Sequence, residues 1–260
     1  MNTRIRTAII LCGGRGSRLG DLGKKIPKTL AKVQGREILW YIINILKKNK
    51  FNHIILPLGY KGNLIKLFLK KNKFFDMNID YVNTGVNTNI GSRIARVLNK
   101  IKSDDILLLN GDAIFNINLD KIFKLHKKNK TEITFLSGEI TYPYGTIGIE
   151  KGEVKEFKRN LVYDALTIRS NKSYIAYNYT GISIIKSKFL EKMKNLLKNS
   201  INFEQFFFPK IIKRKKCKIV KINGFWHSVD NIKDLNAVDN KLNDIRKYSK
   251  VKIIKKIIEK

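Results

Sequence analysis

The sequence predicts an α/β fold, a mainly parallel central sheet flanked by helices. Three observations carry the prediction. Short apolar, partly β-branched runs alternate with segments of helical period through the first half of the chain, the pattern of βαβ units. Two of those runs, Thr7-Ala8-Ile9-Ile10-Leu11 and Ile106-Leu107-Leu108-Leu109, are apolar almost throughout, as strands buried on both faces are. After residue 130 strand-like runs follow one another with few helices between, which adds an antiparallel section.

Residues 5–12 form the first strand. A helix spans 38–49, with Ile38, Leu39, Ile42, Ile45 and Leu46 on its apolar side. A strand at 53–58, a helix at 63–72, a short strand at 78–82 and a helix at 91–101 follow. The buried strand 106–109 ends in Asn110-Gly111-Asp112 and leads to a helix near 119–129. Strands at 131–138, 145–149, 153–157 and 174–185 make the antiparallel section. Helices at 187–198 and 203–213 and a strand at 217–222 come next. A helix over 231–247 is opened by Asp230 or Asn231 as its N-cap. Residues 1–247 read as one domain, in halves 1–130 and 131–247. The tail 248–260 is basic and amphipathic, with Val251, Ile254, Ile257 and Ile258 near one face. It is expected to dock on its own domain or on a neighbouring subunit, with contact to a membrane surface as the weaker alternative.

A chain of 260 residues with a hydrophobic fraction of 43% can fill the core of one large domain. No apolar run approaches ~18 residues, so no transmembrane helix is expected. Met1 to Arg6 lead straight to the first strand without a signal-peptide apolar region. Cys12 and Cys217 are too few for a disulfide framework or a Cys-rich zinc site, and a reducing cytoplasm is expected. The net charge of +32 favours polyanionic ligands, but the basic residues are spread along the chain. With no zinc-finger spacing, RNP string or bZIP heptad, no specific nucleic-acid partner is expected. His53 and His126 read as structural or exposed. His227 either lines a site or packs.

The chemistry concentrates after the first strand, in Leu11-Cys12-Gly13-Gly14-Arg15-Gly16-Ser17-Arg18-Leu19 with Pro27-Lys28 beyond. Three glycines clear side chains from a turn, so that backbone N–H groups can face an anion. Arg15 and Arg18 bring planar, permanently charged forks suited to phosphate, and Lys28 brings a point charge. Neither G-x-x-x-x-G-K-[ST] nor G-x-G-x-x-G is present, which excludes the two better-known phosphate loops. Asp112 follows a core strand, where a carboxylate can hold Mg²⁺ against phosphate oxygens. Asp230 is the second expected ligand.

The first loop resembles the G-G-x-G-x-R-L…P-K signature of sugar-phosphate nucleotidyltransferases. Four further segments continue the likeness to about residue 240: Gly59-Tyr60-Lys61-Gly62; Thr84 to Ile94; Asn110-Gly111-Asp112; and Gly224 to Asp234. The second of these, T-G-x-N-T-x-x-G-x-R-I, and the last, G-F-W-x-x-x-D, are similar to the glucose-1-phosphate cytidylyltransferase branch. The resemblance implies a Rossmann-like nucleotide-diphospho-sugar transferase fold, with a nucleotide-binding half before residue 130 and an acceptor-binding half after it. It implies transfer of CMP from CTP to a sugar 1-phosphate, with Mg²⁺ on Asp112 and Asp230, by a homo-oligomer. Leu11, Gly13, Gly14, Arg15, Gly16, Ser17, Arg18, Lys28, Thr88, Gly91, Ser92, Arg93 and Gly111 would meet the nucleotide. Arg18, Lys28, Asp112 and Asp230 would carry the reaction.

On the acceptor side, Gly145 in Tyr144-Gly145-Thr146-Ile147, and Asn178 and Gly181 in Asn178-Tyr179-Thr180-Gly181, resemble sugar-facing positions. Family members have F-x-E-K where this chain has Phe157-Lys158-Arg159-Asn160, so Lys158 or Arg159 stands in for the missing lysine. The alternatives are guanylyl, uridylyl or thymidylyl transfer to a hexose or heptose 1-phosphate, a non-sugar phosphate acceptor, and a catalytically silent subunit that binds nucleotide sugar.

Overall fold

A computed structural model describes residues 5–74, 76–163, 165–168, 174–213 and 216–238. The tail 248–260, the stretch 239–247 of the last expected helix and the boundary between them lie outside the described residues.

The first half begins with strand β1 (Thr7–Leu11), a 3-10 turn at Ser17–Leu19, helix α1 (Asp21–Lys25) and a second 3-10 turn at Lys28–Leu30. A two-residue hairpin, β2 (Lys32–Val33) and β3 (Arg36–Glu37), leads into α2 (Ile38–Lys48). Then come β4 (His53–Leu58), α3 (Gly62–Asn72), β5 (Asn78–Asn83), α4 (Ile90–Val97), β6 (Asp105–Asn110), β7 (Ala113–Asn116) and α5 (Leu119–Lys128). The second half holds β8 (Ile133–Ser137), the long ribbon β9 (Ile140–Glu150) and β10 (Glu153–Tyr163), and a short ribbon β11 (Ala165–Ile168) and β12 (Tyr174–Tyr177). It continues through β13 (Tyr179–Lys186), α6 (Ser187–Lys192), α7 (Lys194–Lys198), a π-turn at Phe203–Phe207, α8 (Phe208–Ile212), β14 (Cys217–Lys221) and β15 (Phe225–Ser228). A helix runs over 232–238.

Seven strands form the central sheet in the order β14-β8-β13-β6-β1-β4-β5. Only β13 runs against its neighbours, β6 and β8; the other described pairings in this sheet are parallel. The expected α/β class with a mainly parallel sheet is therefore present. Alternate residues of its strands feed two cores. Ala8, Ile10, Leu107 and Leu109 join α2 on one face, whereas Ile9, Ile106 and Leu108 join α4 and Phe203–Phe208 on the other. Burial on both faces is why these strands lack polar alternation.

Several elements differ from expectation. The run 174–185 is two strands, because the chain leaves the β11–β12 ribbon at Asn178 to enter the main sheet. Helix 91–101 stops at Val97 and ends in a 3-10 turn, Leu98–Lys100. The strands at 145–149 and 153–157 extend into eleven-residue partners. Among the described residues no helix is long and apolar enough to cross a membrane.

The topology fixes where a ligand goes. From β1 the sheet grows toward β4 on one side and toward β6 on the other, which opens a crevice beyond the carboxyl ends of β1 and β6. The backbone N–H of Gly111 donates to Leu11 O at 3.0 Å and ties the two strand ends together.

Candidate active site

A cleft of about 650 Å³ occupies that crevice. Its walls are the loop Leu11–Gly16, Lys28 and Thr29, the segment 86–90 with Arg93, the turn Asn110–Asp112, and Ile201–Phe203.

Lys28 stands at the centre of the charged end. Its Nζ donates to Asp112 Oδ2 at 2.7 Å and to Asp230 Oδ1 at 2.9 Å, and Arg18 Nη1 reaches Asp230 Oδ1 at 3.3 Å. The Lys28 side chain is 16% exposed and that of Arg18 77%, so Lys28 is fixed and Arg18 sits in solvent at the rim. Burial alone pushes the Lys28 ammonium down. The two carboxylates outweigh it and hold the group above its ordinary value.

Local structure explains this convergence. Lys28 opens a 3-10 turn pinned by buried Thr29 and Leu30, with extended Pro27 before it. Asp112 follows β6, and its carbonyl accepts the Val229 N–H at 2.8 Å, so Asp230 arrives beside it. The pairing of β15 with β7, Ser228 opposite Ala113, holds that register. Asp234 Oδ2 accepts from the backbone N–H groups of Asp230 and Asn231, while Asn231 Oδ1 accepts from Asp234 N. This reciprocal cap makes Asn231 the N-cap and leaves the Asp230 carboxylate to Lys28 and Arg18, at the edge of the cleft.

The glycine loop runs from β1 into the turn at Ser17–Leu19, and Gly16 takes a left-handed φ of 62° to make the transition. Leu11, Gly13, Gly14, Arg15 and Gly16 line the cleft, and Ser17 lies just outside it, exposed. Arg15 bridges the mouth: its Nη2 donates to Asn87 Oδ1 at 3.0 Å, and its guanidinium lies 5.7 Å from the centre of the Tyr60 ring. Gly111 is forced by proximity. A Cβ there would lie 2.6 Å from Thr29 Cγ2 and 2.8 Å from Leu11 O.

The segment 84–93 divides its residues between two faces. Thr88 lines the cleft, and its hydroxyl donates to Thr84 O while accepting from Arg96. Gly91 and Ser92 face α7 instead. A Cβ on Gly91 would meet Leu197 O at 2.3 Å, and Ser92 Oγ donates to Lys198 O at 3.0 Å. Arg93 is 4% exposed and donates to Leu58 O, Thr84 Oγ1 and Val86 O.

Gly145, Lys158, Arg159, Asn178 and Gly181 lie off the cleft wall. Gly145 pairs with Arg159 across the β9–β10 ribbon, and Lys158 Nζ is 2.6 Å from Glu156 Oε2. Gly181 abuts Asn110, which does line the cleft; a Cβ on it would lie 2.5 Å from Asn110 Nδ2. The side-chain nitrogen of Asn178 is buried and makes no protein hydrogen bond.

Sequence reasoning did not find the wall Ile201–Phe203, which comes from a connection without a motif. Glu204 beside it is pushed up from the ordinary carboxylate value, first by partial burial and then by the charge of Asp112. His227 Nδ1 lies 2.7 Å from Ser228 O, and the ring is not part of the cleft wall. Cys12, buried in the glycine turn, is pushed up to about 12 by desolvation. Among the described residues no three His, Cys, Asp or Glu side chains group as a metal site. Two carboxylates suffice for Mg²⁺ when phosphates and water complete the shell.

Known proteins resemble the chain to different degrees. The chain is 28% identical over 264 residues to the protein named "Probable glucose-1-phosphate cytidylyltransferase" of Bacillus subtilis (strain 168), across 94% of this chain and 99% of that one. It is 28% identical over 212 residues to the D-glycero-alpha-D-manno-heptose 1-phosphate guanylyltransferase of Aneurinibacillus thermoaerophilus, across 80% and 86%. The crystal structure of HddC from Yersinia pseudotuberculosis superposes with a TM-score of 0.68 at 20% identity, across 92% of this chain and 100% of that one, a likeness of fold. The family model for Nucleotidyl transferase matches residues 7–244, from the first strand of the sheet past the last described helix, and the chain therefore belongs to that family.

Proposed function

We propose that the chain transfers CMP from CTP to a sugar 1-phosphate and releases pyrophosphate. The observation that carries this reading is the placement of Lys28 between Asp112 and Asp230 at the foot of a switch-point cleft lined by a glycine loop.

The reaction needs no protein nucleophile. An oxygen of the acceptor phosphate attacks the α-phosphorus in line, the new P–O bond forms, and the bond to the β-phosphate bridging oxygen breaks with its electron pair leaving on pyrophosphate. Positioning and charge stabilisation supply the rate. The glycine-loop amides, Arg15 and Arg18 hold the triphosphate, and Lys28 neutralises charge growing at the α-phosphate.

The two carboxylates fit a divalent cation. They already converge on one cationic atom, Lys28 Nζ, which stands in for it at 2.7 and 2.9 Å. Asp112 and Asp230 would hold Mg²⁺, and the bound ion would draw charge from the phosphate oxygens. Lys28 Nζ, beside this pair, would meet the α-phosphate.

The segment Val86–Ile90 supplies the wall for the base. Backbone N–H and C=O groups there can tell cytosine from uracil by donor order. Transfer of GMP to a heptose phosphate is the second reading, favoured by equal identity, 28%, to a guanylyltransferase.

One assay decides between them: pyrophosphate release over a matrix of CTP, UTP, dTTP, GTP and ATP against hexose and heptose 1-phosphates, with Mg²⁺. CTP with a hexose 1-phosphate is expected to lead. GTP with a heptose 1-phosphate leading would establish the second reading, and no release from any pair would leave a silent binding subunit.

A further inference from the structure

We infer that Arg93 is a positioning residue that locks the loop at 84–89 to the glycine loop, so that base wall and phosphate cradle close on a nucleotide as one body. The inference rests on the proposed nucleotide site and adds to it a coupling between its two parts.

Arg93 projects from α4 into the space where β1, β4 and β5 end. Its Nη1 donates to Thr84 Oγ1 at 2.7 Å and to Leu58 O at 3.3 Å, and its Nη2 donates to Val86 O at 3.1 Å. Thr84 Oγ1 in turn donates to Leu58 O at 2.7 Å. Among the described residues these acceptors are neutral, so this is not an ion pair buried for stability. A fork of donors in fixed geometry spends its bonds on the backbone of the base-side loop.

The glycines around it have the shape this fork requires. A Cβ on Gly13 would lie 2.4 Å from Arg93 Nη1, 2.6 Å from its Cζ and 2.9 Å from its Nε. A Cβ on Gly59 would lie 2.4 Å from the same Nη1. The guanidinium is thus packed flat under the glycine loop and against the start of Gly59-Tyr60-Lys61-Gly62. Tyr60 N donates to Gly13 O at 3.1 Å and completes the contact. Gly59 thus leaves room both for Arg93 and for the glycine-loop backbone, since a Cβ on it would also lie 2.5 Å from Gly13 O. Lysine keeps the charge but has one nitrogen where arginine has a planar fork, and cannot hold both loops.

Two measurements test the coupling. The first is equilibrium binding of CTP and GTP, by calorimetry, to the wild-type chain and to Arg93→Lys, with the KM for the sugar phosphate read in parallel. Arg93→Lys is expected to narrow the ratio of the two nucleotide affinities by about tenfold, the equivalent of one or two lost hydrogen bonds, while the acceptor KM stays unchanged. A merely structural residue would weaken both nucleotides alike. The second is thermal unfolding of Gly13→Ala, Arg93→Ala and the double variant. Gly13→Ala is expected to lower the melting temperature in the wild-type background and to add little in Arg93→Ala, where the clashing atoms are gone. An unchanged affinity ratio in Arg93→Lys, or a Gly13→Ala effect undiminished by Arg93→Ala, overturns the inference and leaves the proposed reaction standing. A wild-type chain that binds no nucleoside triphosphate overturns both.

Discussion

Val229 donates its backbone N–H to the carbonyl oxygen of Asp112 at 2.8 Å, and this bond aligns the two acidic segments of the cleft. Asp230 follows Val229 directly. One register therefore sets the spacing of both carboxylates around Lys28. Replacing either with an isosteric amide keeps the shape and removes a charge. Asp112→Asn and Asp230→Asn are each expected to lower turnover by about 100-fold or more with the fold intact, since each would weaken the hold on the divalent cation that offsets the charge developing on the phosphates. Steady-state rates at saturating Mg²⁺, with circular dichroism as the fold control, check this. A near-normal rate in a folded variant removes that residue from the site.

Gly111 and Gly14 both line the cleft and are expected to respond differently to alanine. A Cβ on Gly111 runs into the carbonyl of Leu11, a backbone atom of the central strand that cannot swing away. Gly111→Ala should cost ~1–3 kcal/mol, as overpacking does, and should displace Asp112. A Cβ on Gly14 meets nothing within 4 Å, so Gly14→Ala should fold as well as the parent. Denaturant midpoints and turnover of the two variants separate the cases, and equal destabilisation would refute the assigned contact.

His53 sets a pH limit on stability. It is buried, with Nδ1 3.0 Å from Thr7 Oγ1 and Nε2 3.0 Å from Asp80 Oδ2. Burial pushes the imidazole below its ordinary value despite the hydrogen bond to Asp80. Below the ordinary value of 6.5 the unfolded chain then binds a proton that the folded chain refuses. Stability should fall as pH drops through 6.5 toward the depressed folded value, and rise with pH across the same window. The depressed carboxyl of Asp105 adds its own loss only at lower pH, near its ordinary value of 3.8. Urea midpoints measured from about pH 5 to 8 should show the slope, and His53→Gln should flatten it. A slope unchanged in that variant would assign the effect elsewhere.

The sheet and the charged end of the cleft were legible in the sequence for one reason. Strands buried on both faces write themselves as apolar runs, and a switch-point site lies at their ends. Asp112 could be read from its place after such a run, whereas Lys28 and Asp230 were marked by the motifs that hold them. The strand that aligns the two carboxylates could not. Ala113-Ile114-Phe115-Asn116 carries no turn signal after Asp112, and its partner Phe225–Ser228 is remote in sequence. The role of Arg93 was hidden because an arginine within a nucleotide motif has the composition of a ligand-binding group. Only its burial and its neutral acceptors give it a framework geometry. The break at Asn178 was masked by aromatic and β-branched residues on both sides of it.

The acceptor phosphate provides the last test. The expected lysine is replaced by Asn160, which adopts a left-handed φ of 56° beside a register shift between Arg159 and Leu161. Lys158 and Arg159 precede it on an extended strand, so their side chains leave opposite faces of the ribbon. Arg159 shares its face with Gly145, and Lys158 shares the other with Thr146. Lys158 pairs with Glu156, 2.6 Å away. If Gly145 marks the acceptor side, as the motif implies, Arg159 is the cation that meets the sugar phosphate. Arg159→Ala should raise the apparent KM for the sugar phosphate by about tenfold, with the KM for the nucleotide unchanged, the mark of lost ground-state binding at one substrate. Lys158→Ala should leave both constants within about twofold, as expected for an exposed ion pair. The reverse result would place the acceptor on the Thr146 face and assign the lysine's role to Lys158.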